Sequence, residues 1–226
     1  MGSNPAIPTT TSVCFPYCQA SSEQLLEFKE VVRRRRMVRN YRSTPLEEDR
    51  LRGVLEVATR APSAGFSQGQ SFVVVQDEAT RAKVAQIARE PAYVARGFNP
   101  WLSRAPVHVV CCVSEKAYRD RYADADKANA VGPEGWAVPF WFVDAGCSLM
   151  LLLLAAVDEG WAAGFLGLHS DQTKEVRHLL AIPSDVTPFG IVTLGQPMPD
   201  RRSASVGRGR KAFGSVVHFE RWGQGS

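Results

Sequence analysis

Residues 140–160 read FWFVDAGCSLMLLLLAAVDEG and lie within the most apolar stretch of this chain, which runs from Trp136 to Leu168. This segment is too long for a strand, and Gly160 is a suitable helix stop. Only thirteen residues separate Asp144 from Asp158, which is short of the ~20 that a membrane span needs. We therefore predict a buried central helix over 140–159 and no membrane partner. Because it is apolar nearly all round, this helix needs cover on every side, from its own chain or from a second copy.

The segments around this helix predict a sheet. Short apolar runs rich in β-branched residues predict buried strands at 72–75, 107–113 and 189–194. Capping signals predict helices that start at Ser21, at Thr44 and at Asp171, and a further helix over 80–89. Helices and strands alternate only loosely, which favours an α+β fold, a sheet covered by helices, over a strict doubly wound parallel sheet.

Composition limits the class of protein. The chain has 226 residues and a net charge of +4, which is ordinary for a globular protein and too small to imply nucleic acid by itself. Residues 1–20 are rich in Thr, Ser and Pro and predict a flexible arm before a single domain at 21–226. They lack the basic start and apolar run of a signal peptide, so we expect a cytoplasmic protein.

Cysteine and histidine give no sign of a metal site. The five cysteines are odd in number and scattered, which fits a reducing compartment. Cys14 and Cys18 form a pair, but no second pair of suitable spacing follows, so we predict no metal. Cys111 and Cys112 are predicted to be packing residues, and His108 a packed strand histidine.

A run of cations follows the first predicted helix. Residues 33–41, the basic segment, read RRRRMVRNY. Such charges repel one another when side by side, so we expect an anion to offset part of them. A solvated helix end, a localisation-type run and an anion site are all compatible with this pattern.

Two further segments could touch a ligand. Residues 61–70, APSAGFSQGQ, join a predicted helix to a predicted strand. Small residues there let a ligand approach the backbone, and Ser63 and Gln68 offer hydrogen-bonding groups, although an ordinary loop would look the same. Near the C-terminus, Arg208 and Arg210 are separated by one glycine and can grip a phosphate through paired donors, or form a solvated tail.

Together the three segments resemble the FMN-dependent nitroreductase family. Residues 35–41 match its Arg-x-Ser-x-Arg/Lys-x-aromatic motif, with Met37 in place of the serine. Residues 61–68 match its Ala-Pro-Ser-x-x-x-x-Gln motif, and Arg208 and Arg210 match its final basic-x-Arg pair. A turn at 160–167 also falls where the family has a counterpart. The resemblance implies a nitroreductase-like fold with a central, mostly antiparallel sheet covered by helices, in an intertwined homodimer.

The resemblance also implies a cofactor site. The arginines of both basic motifs would hold the phosphate and ribityl chain of FMN. The loop of the other subunit would border the flavin ring, and 165–167 would lie along its side with a backbone N–H facing N5. The expected cofactor-binding residues are Arg35, Arg36, Met37, Arg39, Pro62, Ser63, Ala64, Phe66, Gln68, Phe165, Leu166, Gly167, Arg208 and Arg210.

The activity implied is that of an oxidoreductase in which the flavin carries the chemistry and no side chain is catalytic. NADH or NADPH would pass hydride to N5 and leave, and an aromatic nitro compound, a quinone or a related small molecule would then be reduced in a ping-pong cycle. Planar surfaces for such an acceptor are offered by Tyr93, Phe98, Trp101, Tyr118, Tyr122 and Trp136, and a position in the core is the alternative for each of them.

Other functions remain open. The same scaffold could support substrate dehydrogenation, reductive dehalogenation or flavin fragmentation. A non-catalytic flavin-binding protein would carry the same motifs. A nucleic-acid module built on the basic segment is disfavoured, because interleaved exposed aromatics and a binding motif are missing from the sequence.

Overall fold

The structure, a computed structural model, describes residues 26–200 and 204–224. A four-stranded sheet lies at its centre, and its strands are β1 (Gln70–Val75), β2 (Val107–Val113), β3 (Ala162–Gly167) and β4 (Thr187–Gly195). The order across the sheet is β1-β2-β4-β3, and each neighbouring pair is antiparallel. The predicted α+β fold with an antiparallel sheet is confirmed.

Helices cover this sheet. In the described part of the chain they are α1 (Phe28–Arg34), α2 (Glu48–Ala58), α3 (Glu78–Ile87), α4 (Glu90–Val94), α5 (Trp101–Arg104), α6 (Glu115–Tyr122), α7 (Phe140–Asp158) and α8 (Ser170–Leu179). Short 3₁₀ helices interrupt the connections, including one at Ala64–Phe66. β2 is buried along its whole length, since it lies between β1 and β4 under this cover.

The central helix prediction is confirmed by α7, but the single chain covers only part of it. Leu152 and Ala156 are fully buried and share a core with Val109 and Val192 of the sheet. By length and composition alone, α7 is long and apolar enough to cross a membrane, and 33% of its 18-residue apolar stretch is buried within the single chain. The uncovered side of α7 is therefore available to a second copy of the chain.

Residues 160–167 correct the sequence interpretation. Gly160 ends α7 as expected, with φ +71°, but the segment after it is strand β3 rather than a turn. Its sequence, AAGFLG, has no β-branched residue, so local propensity did not indicate a strand. Pairing with the apolar β4 supplies the stability that propensity lacks.

Some predicted boundaries are also wrong. α2 begins at Glu48 rather than after Thr44, and its N-cap, Glu47, makes no side-chain capping bond. α8 is capped at His169, whose backbone N–H donates to Gln172 Oε1, rather than at Asp171. β1 is an edge strand and half exposed rather than buried. The predicted start at Ser21 and the arm at 1–20 lie outside the described residues.

Candidate functional site

The basic segment lies against β3. The Val38 N–H donates to the Ala163 carbonyl at 3.0 Å, and Met37 forms an isolated parallel β-bridge with Ala163. Gly164 makes this approach possible, because a Cβ there would lie 2.5 Å from the Val38 carbonyl oxygen. The main chain therefore fixes the segment, whatever side chain stands at Met37.

The far end of the basic segment is held by residues that follow β4. The Arg42 N–H donates to the Gln196 carbonyl at 3.0 Å, and the Arg39 N–H donates to the Asp200 carboxylate at 2.7 Å. The buried Tyr41 hydroxyl donates to the Val38 carbonyl at 2.6 Å, and burial raises the pKa of that hydroxyl. The second half of the segment, from Met37 onward, is thus held on β3 and on the residues after β4.

Glu30 offsets part of the positive charge, as the sequence led us to expect. It pairs with Arg33 at 2.6 Å and with Arg34 at 2.5 Å, and the hydrogen bond from Arg33 is the largest cause that lowers the pKa of Glu30 to about 2. Within the described residues, Arg35 and Arg36 have no carboxylate partner. Their charges remain available to an external anion.

Arg39 differs from these neighbours because it is half-buried against a ring. Its guanidinium carbon lies 5.6 Å from the centroid of the Trp101 ring, which is within cation–π range. Trp101 is 1% exposed, so the ring is a fixed surface. The predicted place of Trp101 on the acceptor side is therefore wrong in this chain, and its contact is with Arg39.

The loop at 61–68 has an unusual backbone. Gly65, Phe66 and Gln68 have φ angles of +61°, +57° and +49°. A left-handed conformation costs a non-glycine residue about 1–2 kcal/mol, so Phe66 and Gln68 are strained. Such strain persists only where the surroundings over-determine it, and it collects at functional sites. The Phe66 side chain is 72% exposed and faces away from the chain.

Side chains from α6 and α7 hold this loop. One oxygen of Asp144, on α7, accepts hydrogen bonds from the Ala64 N–H at 2.8 Å and from the Tyr118 hydroxyl at 2.9 Å. Arg121, on α6, donates to the Gly65 carbonyl at 2.8 Å. Sequence analysis missed both Asp144 and Arg121. A carboxylate inside an otherwise apolar helix is the signal that could have found Asp144, because such a group needs a partner.

Aromatic side chains pack behind the loop. The Trp136 ring lies 5.0 Å from Tyr122 and 6.1 Å from Tyr118, between ring centroids. A Cβ on Gly65 would be 2.8 Å from the Tyr122 ring, and the φ of Gly65 is +61°, so a larger residue there would be strained. Tyr118 is fully buried and serves packing, whereas Tyr122 and Trp136 are half-buried. Of the predicted acceptor-side aromatics near the loop, Tyr122 and Trp136 therefore keep an open surface.

The remaining predicted site residues fall into two places. Phe165 and Leu166 are half-buried in β3, shortly after the residue that bridges Met37, and Gly167 is exposed at its end. Arg208 ends a 3₁₀ helix and Arg210 follows it, and both are exposed. The structure thus brings the basic segment to the strand of 165–167, while it holds the loop on α6 and α7.

Two open cavities lie away from the loop and from 165–167. One of about 510 Å³ is lined by residues of α3 and α8, among them Ile87 and Leu179. One of about 400 Å³ lies beside Tyr41, between Arg42 and Arg104.

His108 and the strand cysteines are packing residues, as predicted. His108 is fully buried, its Nε2 lies 2.7 Å from the Leu102 carbonyl, and burial lowers its pKa to about 4. Burial raises the pKa of the Cys111 and Cys112 thiols, the latter to about 12. Among the described residues, no group of three or more His, Cys, Asp or Glu could hold a metal, while Cys14 and Cys18 lie outside that part of the chain.

Known proteins resemble this chain over most of its length. The model of the Nitroreductase family matches residues 32–196. An NADPH-dependent oxidoreductase of Staphylococcus aureus (strain USA300) is 26% identical over 195 residues, which are 85% of this chain and 72% of that protein.

Solved structures show the same fold. A hypothetical oxidoreductase of Bacillus subtilis, YcnD, has a TM-score of 0.67 at 24% identity, over 86% of this chain and 74% of that chain. An NADPH:FMN oxidoreductase of Vibrio harveyi in complex with NAD⁺ has a TM-score of 0.66 at 22% identity, over 86% of this chain and 77% of that chain.

Proposed function

This chain belongs to the nitroreductase family, and we propose that it is an FMN-dependent oxidoreductase that works as a homodimer. It would accept hydride from NADH or NADPH and reduce an aromatic nitro compound, a quinone or a related small molecule. One observation supports this proposal. The basic segment, which carries Arg35 and Arg39, is anchored on β3, the strand that we expect to flank the flavin.

The residues of the basic segment fit a phosphorylated cofactor. Arg35 and Arg36 have no carboxylate partner within the described residues, and guanidinium groups bind phosphate oxygens in pairs. Met37 supplies no hydroxyl, so we assign the phosphate to Arg35 with Arg208 and Arg210. Arg36 follows Arg35 directly in the sequence, and its exposed side chain adds positive charge.

When bound, FMN supplies the redox chemistry, since its ring takes up hydride at N5 and releases electrons to an acceptor. The chain binds and orients it. Phe165, Leu166 and Gly167 would lie along the ring, and a β3 backbone N–H would face N5. Arg39 would stabilise the negative charge that reduction places on the ring. From the partner subunit, the loop would border the ring with Pro62, Ser63, Ala64, Phe66 and Gln68.

Two apolar surfaces support the homodimer. Phe142, Val143 and Met150 of α7 are 44%, 50% and 45% exposed. The C-terminal segment also exposes apolar side chains, namely Phe213, Val216, Phe219 and Trp222. Apolar patches of this kind on a single chain mark interaction sites, and a two-fold axis would bury the same patch on both copies. The same axis could bring the loop of one chain to the basic segment of the other.

The domain and location follow from the same proposal. The family match at 32–196 lies within the FMN-binding domain that we propose at 21–226, which would follow an arm at 1–20. We place the dimer in the cytoplasm, with itself and a small-molecule acceptor as its partners.

The direct test is the visible spectrum of the purified protein, followed by anaerobic titration with NADH and with NADPH. We expect flavin bands, release of FMN on denaturation, and bleaching by at least one nicotinamide that a nitro or quinone acceptor reverses. A flavin that stays oxidised under both nicotinamides would favour another flavin reaction. Bleaching with no turnover across acceptors would indicate a flavin-binding protein without this activity. A colourless protein that takes up no FMN would refute the cofactor.

A further inference from the structure

Two hydrogen bonds within the loop at 61–68 stabilise its shape. The Ser63 hydroxyl accepts from the Gln68 N–H at 2.9 Å, and the Ser67 hydroxyl donates to the Ala64 carbonyl at 2.6 Å. These bonds join residues of the loop to one another. They leave the outward face of the loop, with Phe66, free to meet another surface.

These internal bonds do not connect the loop to the rest of the chain. The first tie that does so comes from α7. Asp144 Oδ2 accepts from both the Ala64 N–H and the Tyr118 hydroxyl. Burial and this hydrogen bond both raise the pKa of Tyr118, so its hydroxyl stays protonated and remains a donor. A charged acceptor strengthens both bonds, and the half-buried position of Asp144 limits competition from water.

α6 supplies the second tie, in which the side chain is the donor and the loop backbone is the acceptor. Arg121 Nε donates to the Gly65 carbonyl, one residue along from the N–H that Asp144 holds. The rest of the guanidinium is occupied by Asp126, through two bonds of 2.7 Å, and by Asp124 at 3.1 Å. The arginine is therefore fixed in place rather than free to follow the loop.

The two ties act on the strained part of the loop. They grip the N–H of Ala64 and the carbonyl of Gly65, immediately before Phe66 and its left-handed backbone. The Tyr122 ring fills the space beside Gly65. Without these two ties, the backbones of Phe66 and Gln68 would relax toward ordinary φ angles, and the outward face of the loop would change its shape.

We propose that Asp144 and Arg121 are positioning residues that hold the loop preformed for the flavin of the partner subunit. This rests on the proposed function, since it assumes that the loop borders a flavin. Preorganisation of this kind raises affinity because the cost of ordering the loop is met during folding rather than on binding.

The test compares four variants of the full-length protein with the wild type. Asp144→Ala removes the acceptor, and Asp144→Asn keeps an oxygen that can still accept from Ala64. Arg121→Gln removes the second tie. Arg119→Gln is the matched control, because Arg119 lies on the same helix and pairs with Glu115 and Glu134 instead of the loop.

Two readouts separate positioning from general damage. The first is hydrogen exchange of the loop amides in the flavin-free protein, with the amides of β2 as an internal reference. The second is FMN affinity by fluorescence titration. We expect Asp144→Ala and Arg121→Gln to speed loop exchange with β2 unchanged, and to weaken FMN binding about tenfold. Asp144→Asn should retain part of both, and Arg119→Gln should match the wild type.

Two results would overturn the positioning role while the proposed function stands. One is wild-type loop exchange in Asp144→Ala and Arg121→Gln, and the other is faster loop exchange with unchanged FMN affinity. Failure of the proposed function is visible separately, because the wild type itself would then bind no FMN. In that case the role toward a flavin falls with it.

Discussion

The basic segment and the loop at 61–68 are both proposed to touch the same cofactor, but the chain holds them by different means. Main-chain bonds to β3 and to the residues after β4 fix most of the basic segment, with the Asp200 carboxylate as one side-chain acceptor. Side chains of α6 and α7 fix the loop. Main-chain bonds do not depend on side-chain identity, so the Met37 side chain is not needed to anchor the segment on β3. The loop instead depends on particular residues at a distance in sequence.

The largest effect is expected from a change in the proposed dimer interface, which would bring the basic segment of one chain to the loop of the other. Val143→Glu places a carboxylate on the exposed apolar face of α7, which we propose to be buried in the dimer, and burial of that charge is costly. We expect monomers by light scattering and loss of FMN, since each site would lose its partner's loop. Val94→Glu, on a valine of α4 with 43% exposure, is the control and should leave the dimer intact. A dimeric, flavin-bound Val143→Glu protein would refute the α7 interface.

Gly164→Ala tests the main-chain anchoring of the basic segment. The new Cβ would lie 2.5 Å from the Val38 carbonyl oxygen and 2.8 Å from the Tyr41 hydroxyl, so the segment must move off β3. We expect a loss of about 3 kcal/mol in the free energy of unfolding, measured by urea denaturation. Gly167→Ala, in the same strand with nothing within 4 Å, should leave the free energy of unfolding nearly unchanged. Equal losses in both variants would contradict this anchoring.

Arg35→Ala tests what the anchored segment binds. A charge-assisted phosphate contact is worth ~1.5–3 kcal/mol, which is about tenfold or more in FMN affinity. Arg210→Ala should have a similar effect if the C-terminal arginines complete the phosphate site. Arg33→Ala is the control, because Arg33 pairs with Glu30 and should not contribute. Unchanged FMN content after dialysis in both Arg35→Ala and Arg210→Ala would contradict the assigned phosphate ligands.

The smallest effect is expected from protonation of His108, which lies near the ring that Arg39 contacts. His108 contacts the carbonyl of Leu102, the residue after Trp101, and burial lowers its pKa from 6.5 to about 4. The unfolded chain therefore takes up this proton first as the pH falls. The stability contribution is complete above pH 6.5 and is lost progressively toward pH 4. At pH 5.5 the loss should be about 1.4 kcal/mol.

His108→Gln should remove that part of the pH dependence in urea denaturation at a series of pH values. His178→Gln, which changes an exposed histidine, should keep the pH profile of the wild type. If the His108→Gln and wild-type profiles run parallel between pH 6.5 and pH 4, the histidine is not buried in its neutral form.

Strong local patterns made part of the fold predictable from sequence. The long apolar run at 140–159 predicted α7, and the β-branched run at 107–113 predicted β2 with the same bounds that the structure shows. In both, burial and local propensity favour the same structure. The basic segment was also visible as a charge cluster, and Glu30 offsets part of it as expected.

The rest depended on long-range contacts that a local pattern does not carry. β3 is a strand because β4 pairs with it, although Ala and Gly are weak strand formers. Asp144 and Arg121 reach the loop across 80 and 56 positions of sequence, so neither belongs to a recognisable motif. The proposed assembly of the site from two chains would likewise depend on surfaces that several segments form together.

Complementation between two defective chains tests most directly the claim that one flavin lies between two subunits. Arg35→Ala damages the basic segment, and Phe66→Asp puts a carboxylate on the exposed tip of the loop, where aspartate tolerates the left-handed backbone. Each variant alone should bind FMN poorly. Co-expressed with different tags, they should regain FMN in about a quarter of all sites, because each mixed dimer then holds one undamaged site. If the mixed dimers bind no more FMN than either parent, the basic segment and the loop of a site come from the same chain, and the shared site is wrong.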